Sequence, residues 1–191
     1  STNLESLCWG QGYDDKILGN STSSIHGTRV DAGSASDKHY SISVGSEHAC
    51  IVVASSIECW GTEVSGELGD DGSASSSTAS PVSVSLPAGY IPLEVEVSES
   101  GTTSCALFKD ADDTRKVMCW GEGGDGRIGH GLTTDLSAPS DSSAVEASGT
   151  DIIPVDSSSA VSRTLSRPAE IDGGEGFFCA RSIQGLVKCW G

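Results

Sequence analysis

The tripeptide Cys-Trp-Gly occurs four times in 191 residues, at Cys8-Trp9-Gly10, Cys59-Trp60-Gly61, Cys119-Trp120-Gly121 and Cys189-Trp190-Gly191. All four Trp of the chain stand in it. Successive Trp are 51, 60 and 70 residues apart. Self-similarity on this scale marks a chain built from repeated supersecondary units. A second signature follows the tripeptide: Gly66-Glu67-Leu68-Gly69 after Gly61, and Gly126-Arg127-Ile128-Gly129 after Gly121. After Gly10 the run ends in Ile17-Leu18-Gly19 without the middle Gly. A further Cys precedes each later tripeptide, in Ala49-Cys50-Ile51, Ser104-Cys105-Ala106 and Phe178-Cys179-Ala180.

One unit therefore reads as an alternating strand, a Cys-bearing strand, a short turn, a second Cys-bearing strand ending in Trp-Gly, and a Gly-rich turn. Runs of β-branched and aromatic residues between turn residues predict strands at 40–44, 49–52, 56–60, 82–86, 93–97, 104–108, 116–120, 177–181 and 186–190. No helical period of useful length is present. The predicted class is all-β, a β-propeller-like repeat array of about three four-stranded blades, a partial propeller. Residues 1–10 read as the end of a preceding repeat, 11–61 as repeat 1, 62–121 as repeat 2 and 122–191 as repeat 3. Three units are too few to close a ring of four to eight blades, so the expectation is one segment of a longer chain.

The pattern Gly45-Ser46-Glu47-His48-Ala49-Cys50, with Ser104-Cys105-Ala106-Leu107 and the Cys-Trp-Gly and Gly-x-Leu-Gly signatures, resembles the regulator of chromosome condensation repeat in a cysteine-containing, extracellular style. The resemblance touches three consecutive units and implies a propeller of about seven four-stranded blades. The His position departs from the pattern: it is Thr102 or a neighbour in the second unit, and Phe177 or Gly176 in the third.

Seven Cys is an odd number. A hairpin with Cys50 opposite Cys59 puts Ile51 against Glu58 and Val52 against Ile57. The same register sets Cys105 opposite Cys119 and Cys179 opposite Cys189. Directly opposed residues of antiparallel strands are close enough for a disulfide. The expected pairs are therefore Cys50–Cys59, Cys105–Cys119 and Cys179–Cys189. Cys8 is left unpaired in this segment, as the second Cys of a unit whose first would lie before Ser1. Side chains alternate along a strand, so the disulfide fills one face of a blade and the Trp the other. Trp9, Trp60, Trp120 and Trp190 are the expected repeat core. Each bridge closes a short loop, and one of ~15 residues contributes about 3 kcal/mol in the chain-entropy picture. Persistent disulfides point outside the cytosol.

Acidic residues outnumber basic ones 27 to 11, for a formal net charge of −16. Such a surface repels phosphate, so nucleic acid is not an expected partner. No apolar run approaches the ~20 residues that span a bilayer, and no signal-peptide pattern opens the sequence. The stretches 70–80, 137–159 and 162–166 are rich in Ser, Thr, Gly and Asp and read as solvated loops suited to glycans. Asn20-Ser21-Thr22 is an N-glycosylation sequon.

Chemistry is sparse. His26, His39, His48 and His130 show no zinc spacing, and His48 reads as a buried residue holding a turn. No nucleophile elbow is present. Asp70-Asp71 and Asp110-Ala111-Asp112-Asp113 offer Ca²⁺ chemistry but lack the Gly and distal Glu of a binding loop, and read as surface charge. No catalytic or metal residue and no cofactor is expected, Ca²⁺ being the single candidate. The resulting expectation is a non-catalytic extracellular structural or adhesive scaffold: a secreted, disulfide-stapled glycoprotein at the cell surface, in a filament if copies join. Other copies, cell-surface proteins and glycans would be its partners. The alternative is a propeller-type protein-binding or inhibitor module, with an enzyme as the third reading.

Overall fold

The computed structural model describes residues 6–10, 24–30, 39–72, 77–131, 133–140, 151–152 and 167–191. These residues form strands and turns, with one 3-10 turn at Gly124–Gly126. The strands are Ser6–Gly10 (β1), Ser24–Val30 (β2), His39–Val44 (β3), His48–Val53 (β4), Ser56–Gly61 (β5), Thr78–Ser83 (β6), Ile91–Val97 (β7), Thr103–Lys109 (β8), Arg115–Gly121 (β9), Asp151–Ile152 (β10), Pro168–Gly173 (β11), Phe178–Ser182 (β12) and Val187–Trp190 (β13). They build four antiparallel sheets, ordered β1-β2, β3-β4-β5-β6, β7-β8-β9 and β10-β13-β12-β11. This is a partial, unclosed β-propeller-like repeat array.

Register repeats from sheet to sheet. Ala49 opposes Trp60, Ser104 opposes Trp120 and Phe178 opposes Trp190. Each first strand carries a bulge at the same place, between His39 and Ser41, Pro92 and Glu94, and Pro168 and Glu170. The extra residue lets the strand bend as it enters the sheet. A second repeated irregularity lies at the Trp, between Cys59 and Gly61 and between Cys8 and Gly10. By this register β1-β2 corresponds to β5-β6, the later half of a sheet.

Every residue of β4 is buried, because the second sheet is covered on both faces. One face packs Ala49, Ile51, Val53 and Trp60 together with Cys8 of β1. The other brings Cys50, Cys59, Val52 and Ile57 against Val95, Val97, Phe108 and Trp120. At the next interface Cys105, Cys119, Leu107 and Ile128 meet Ile171, Phe178 and Trp190. A sulfur pair thus faces the Trp of the following sheet at the last two interfaces, and the single Cys8 faces the Trp60 cluster at the first. First strands are also tied to one another: Ser43 Oγ donates to Glu96 Oε2 (2.9 Å), and Ile171 N–H donates to Glu94 Oε2 (3.2 Å).

Some strands differ from the sequence expectation. The strand expected at 82–86 runs instead over Thr78–Ser83, since pairing with β5 begins opposite Gly61. The sequence pattern does not predict β2, β10 or β11: β2 lacks an apolar alternation, β10 has only two residues, and β11 alternates only over Ala169-Glu170-Ile171-Asp172. In the third sheet the fourth strand is reduced to one reciprocal bridge, Gly121 N–H to Leu136 C=O at 2.8 Å and the return bond at 3.0 Å. Beside β1, β5 and β9 the outer partner comes from beyond the Trp-Gly that the strand carries, whereas beside β13 it is β10, which precedes that strand in the sequence.

Candidate functional site

The residues that join the sheets gather at one end of the array. The loops after β3, β7 and β11 lie there, together with the turns that follow Gly61 and Gly121. Gly61 has φ +120°, and a Cβ there would run into the Glu47 carbonyl oxygen. Only Gly takes this conformation without strain. It lets Thr62 N–H donate to Glu47 C=O at 2.9 Å. The turn is then held by carboxylates. Glu67 Oε2 accepts from Val64 and Ser65 N–H, both at 2.7 Å, and Glu63 Oε2 accepts from Leu68 N–H at 2.8 Å. Burial lifts the Glu63 pKa to about 7, opposed by the Leu68 hydrogen bond and reinforced by Glu67 and Asp70.

The same turn receives the next Trp. A Cβ at Gly69 would stand 2.6 Å from Trp120 Nε1, so the last Gly of the second signature is a space requirement. Trp120 Nε1–H donates to Glu67 C=O at 2.9 Å. His48 completes the junction. Its Nδ1 is 2.9 Å from Gly101 C=O and its Nε2 2.6 Å from Ser104 Oγ. A carbonyl only accepts, so Nδ1 carries the proton and Nε2 accepts from the Ser104 hydroxyl. Burial lowers the His48 pKa to about 4, with the Gly101 bond opposing. His48 is therefore a neutral structural clasp between two sheets.

In the corresponding turn after β9, Arg127 replaces Glu67. Its guanidinium pairs with Glu122, donates to Thr102 Oγ1 at 3.1 Å and lies 3.8 Å from Asp125. Loop-to-loop bonds make the end a continuous surface: Ser46 N–H to Glu99 C=O (3.1 Å), Ser46 Oγ to Ser100 C=O (2.8 Å) and Glu99 N–H to Gly174 C=O (2.9 Å). Glu47, Glu63, Glu99, Glu122, Asp125 and Glu175 stand on these loops wholly or partly exposed, with Arg127 the one basic side chain among the described residues of the same loops. Two apolar side chains protrude beside them, Val64 at 80% exposure and Phe177 at 51%. The opposite end mixes signs: Asp113 pairs with Arg167 at 2.6 Å and Arg115 at 3.6 Å.

The three sequence-predicted Cys pairs are brought together, with Cα–Cα distances of 4.1, 4.0 and 4.0 Å, and joined as disulfides. Cys8 is free. Trp60 and Trp120 are fully buried, while Trp190, stacked on Phe178 with centroids 6.1 Å apart, is partly exposed. Trp9 lies on β1, and its side chain is outside the described residues, as is Asn20. The register assigns the His position to Thr103 and Phe177 in the later sheets, since Ser98 and Gly174 bond their carbonyls as Gly45 bonds that of His48. Asp110 Oδ1 caps its own turn through Asp112 and Thr114 N–H. Among the described residues no three His, Cys, Asp or Glu gather as metal ligands. A cleft of about 380 Å³ between 85–87 and 136–140 contains Asp71, which accepts from Ser137 Oγ at 3.1 Å. Its lining supplies no second titratable group. The parts that sequence reasoning missed are Glu67, Arg127 and Ser104; the only hint was the position of the first two inside the Gly-x-Leu-Gly signature.

No family model matches this sequence, and no curated protein matches it. Solved structures do. Human WBSCR16 matches with a TM-score of 0.64 and 18% identity over 98% of this chain and 42% of that one. Yeast RCC1 (Prp20), in a structure with Kap60 bound, matches with a TM-score of 0.64 and 18% identity over 99% of this chain and 41% of that one. This chain spans about two fifths of the length of either protein. At such identity the likeness shows the fold alone.

These matches correct the compartment and the role. Neither WBSCR16 nor RCC1 is an extracellular, cell-surface, adhesive or filament-forming protein. The extracellular style of the repeat, the secreted scaffold and the filament are accordingly withdrawn. The error has a physical origin. Facing Cys follow from hairpin register, and register carries no information about the compartment.

Proposed function

We propose that this chain is a non-catalytic protein-binding propeller module whose loop-bearing end takes a basic segment of a partner protein. The observation that carries this is the end surface itself: the carboxylates of Glu47, Glu99, Glu122, Asp125 and Glu175, with a partly ionised Glu63, on interlocked loops around exposed Val64 and Phe177, and Arg127 already paired with Glu122. Carboxylates at a fixed spacing steer and orient Lys and Arg, and the apolar pair supplies desolvated contact. RCC1 bound to Kap60 is an example of a fold-mate engaging a protein. The same field disfavours nucleic acid.

The test is binding of matched peptides, Lys/Arg-rich or Asp/Glu-rich and each with an aromatic residue, to the full chain. Basic peptides are expected to bind at least about tenfold tighter, roughly 1.4 kcal/mol. Reversal at Glu99→Lys with Glu175→Lys, both exposed, should remove that preference, and added salt should weaken it. Equal binding of both peptide classes would refute the proposal.

A further inference from the structure

The second sheet has an apolar strip that its successors do not leave open. Tyr40, Ile42 and Val44 alternate along β3 and are 61%, 48% and 58% exposed. The bulge and register place them at the positions of Leu93, Val95 and Val97 in β7 and of Ala169, Ile171 and Gly173 in β11. There Val95, Val97 and Ile171 are 0%, 4% and 3% exposed, because the preceding sheet covers them.

Beside the strip, β1 pairs with β2 on one edge only among the described residues. Cys8 stands on β1 at the position of Cys59, and it packs against the Trp60 cluster. At the next two interfaces the corresponding Trp meets a sulfur pair, Cys50–Cys59 or Cys105–Cys119. Here it meets a lone, half-buried thiol. An uncovered apolar strip, a strand edge and a single sulfur are three separate observations, and all three outline the same two-strand space.

We infer that β1 and β3 together form an acceptor slot for a β-hairpin of this chain's own repeat type, whose second strand pairs with β1 and sets a Cys opposite Cys8. Its strand faces would cover Tyr40, Ile42 and Val44, continuing the interface that β1 already makes with the second sheet. A second whole copy is not the occupant. Its own hairpins β3-β4, β7-β8 and β11-β12 are each spent on a third strand, and their Cys are already in disulfides. Burial raises the Cys8 pKa, which lowers its thiolate fraction and slows its reaction with solvent oxidants.

The slot is tested on the full chain with a synthetic peptide of residues 39–53, supplied as the mixed disulfide of its Cys with glutathione. The Cys8 thiolate attacks the peptide sulfur, a Cys8–peptide disulfide forms, and the glutathione thiolate leaves and takes up the proton, so no further oxidant is needed. The expected result is a Cys8-linked adduct, mapped by peptide mass analysis, formed at least about tenfold faster than with a scrambled peptide of the same composition. Amide exchange should slow in β1 and β3 in the same sample. The variant Cys8→Ser should keep the slowed exchange in β3 at high peptide concentration and lose the adduct. Equal rates for native and scrambled peptides would overturn the slot, as would an adduct that leaves exchange in β3 unchanged. Peptide-independent dimers that protect β3 would overturn the hairpin as its occupant.

Discussion

The interface between the second and third sheets and that between the third and fourth use the same positions for different chemistry. In the first, Trp120 is sealed, its N–H bonded to Glu67 C=O, with His48 clasping Gly101 and Ser104 beside it. In the second, Phe178 stands where Ser104 stands and stacks on Trp190, and Thr103 takes the position of His48 and bonds Glu122 C=O within its own sheet at 2.9 Å. The turns differ likewise: two carboxylates cap the first, whereas Arg127 and Glu122 brace the second. The sulfur pair, the aliphatic residue at Leu68 or Ile128 and the Gly that admits the Trp are common to both. Packing sets the repeat, and hydrogen bonding is free to vary around it.

The largest separation should come from the Trp residues. Trp120→Ala is expected to cost about 3–5 kcal/mol, as for a sealed aromatic, and Trp190→Ala about 1–2 kcal/mol because it is already partly wet. Urea unfolding of the two variants measures both, and equal costs would erase the distinction between the interfaces.

Next is the acid limb. His48 ordinarily titrates near 6.5 and in the fold near 4. Below pH 6.5 the unfolded chain takes a proton that the folded chain refuses, so stability falls as pH drops towards 4, by roughly 1.4 kcal/mol per unit. His48→Gln should flatten this limb between pH 6.5 and 4. Thr103 at the second interface contributes nothing there, so an unchanged slope in the variant would place the titration elsewhere.

The smallest effect belongs to Glu63, which is half-exposed. Its carboxyl ordinarily ionises near 4.5 and here near 7. Between these values the unfolded chain has lost a proton that the folded chain keeps, so stability falls as pH rises, opposing His48 over the shared window. Glu63→Gln should therefore raise the urea midpoint relative to the parent at pH 7.5 and less so at pH 4.5. Gly123 occupies the corresponding place in the other turn, and a shift of equal size at both pH values would separate the effect from ionisation.

Much of this scaffold is legible in the residues. Cys50 and Cys59, nine positions apart, face each other because an antiparallel hairpin counts by twos, and the same counting puts Trp60 on the other face. Strand β2 and strand β11 are not legible: Ser24-Ile25-His26-Gly27-Thr28 lacks alternation, Ala169-Glu170-Ile171-Asp172 alternates over too few residues behind Pro168, and both are strands because a neighbour offers them a hydrogen-bonding edge. The acidic end is legible only as net charge. Glu47, Glu99 and Glu175 are 52 and 76 residues apart in sequence and adjoin only once the loops after β3, β7 and β11 are bonded together. The compartment was misread because sulfur pairing reports on register alone.

By itself the sequence determined the period, the hairpin pairing and the two-faced burial of sulfur and indole, since each follows from local geometry repeated along one chain. Tertiary structure alone decided which neighbour each face meets. It made His48 a neutral clasp, lifted Glu63 by burying it beside Glu67, and left Tyr40, Ile42 and Val44 uncovered where their counterparts are sealed. The His48 clasp depends on contacts with residues some 50 positions away, which exist only after the sheets have packed, whereas the groups that act on Glu63 lie within its own folded turn.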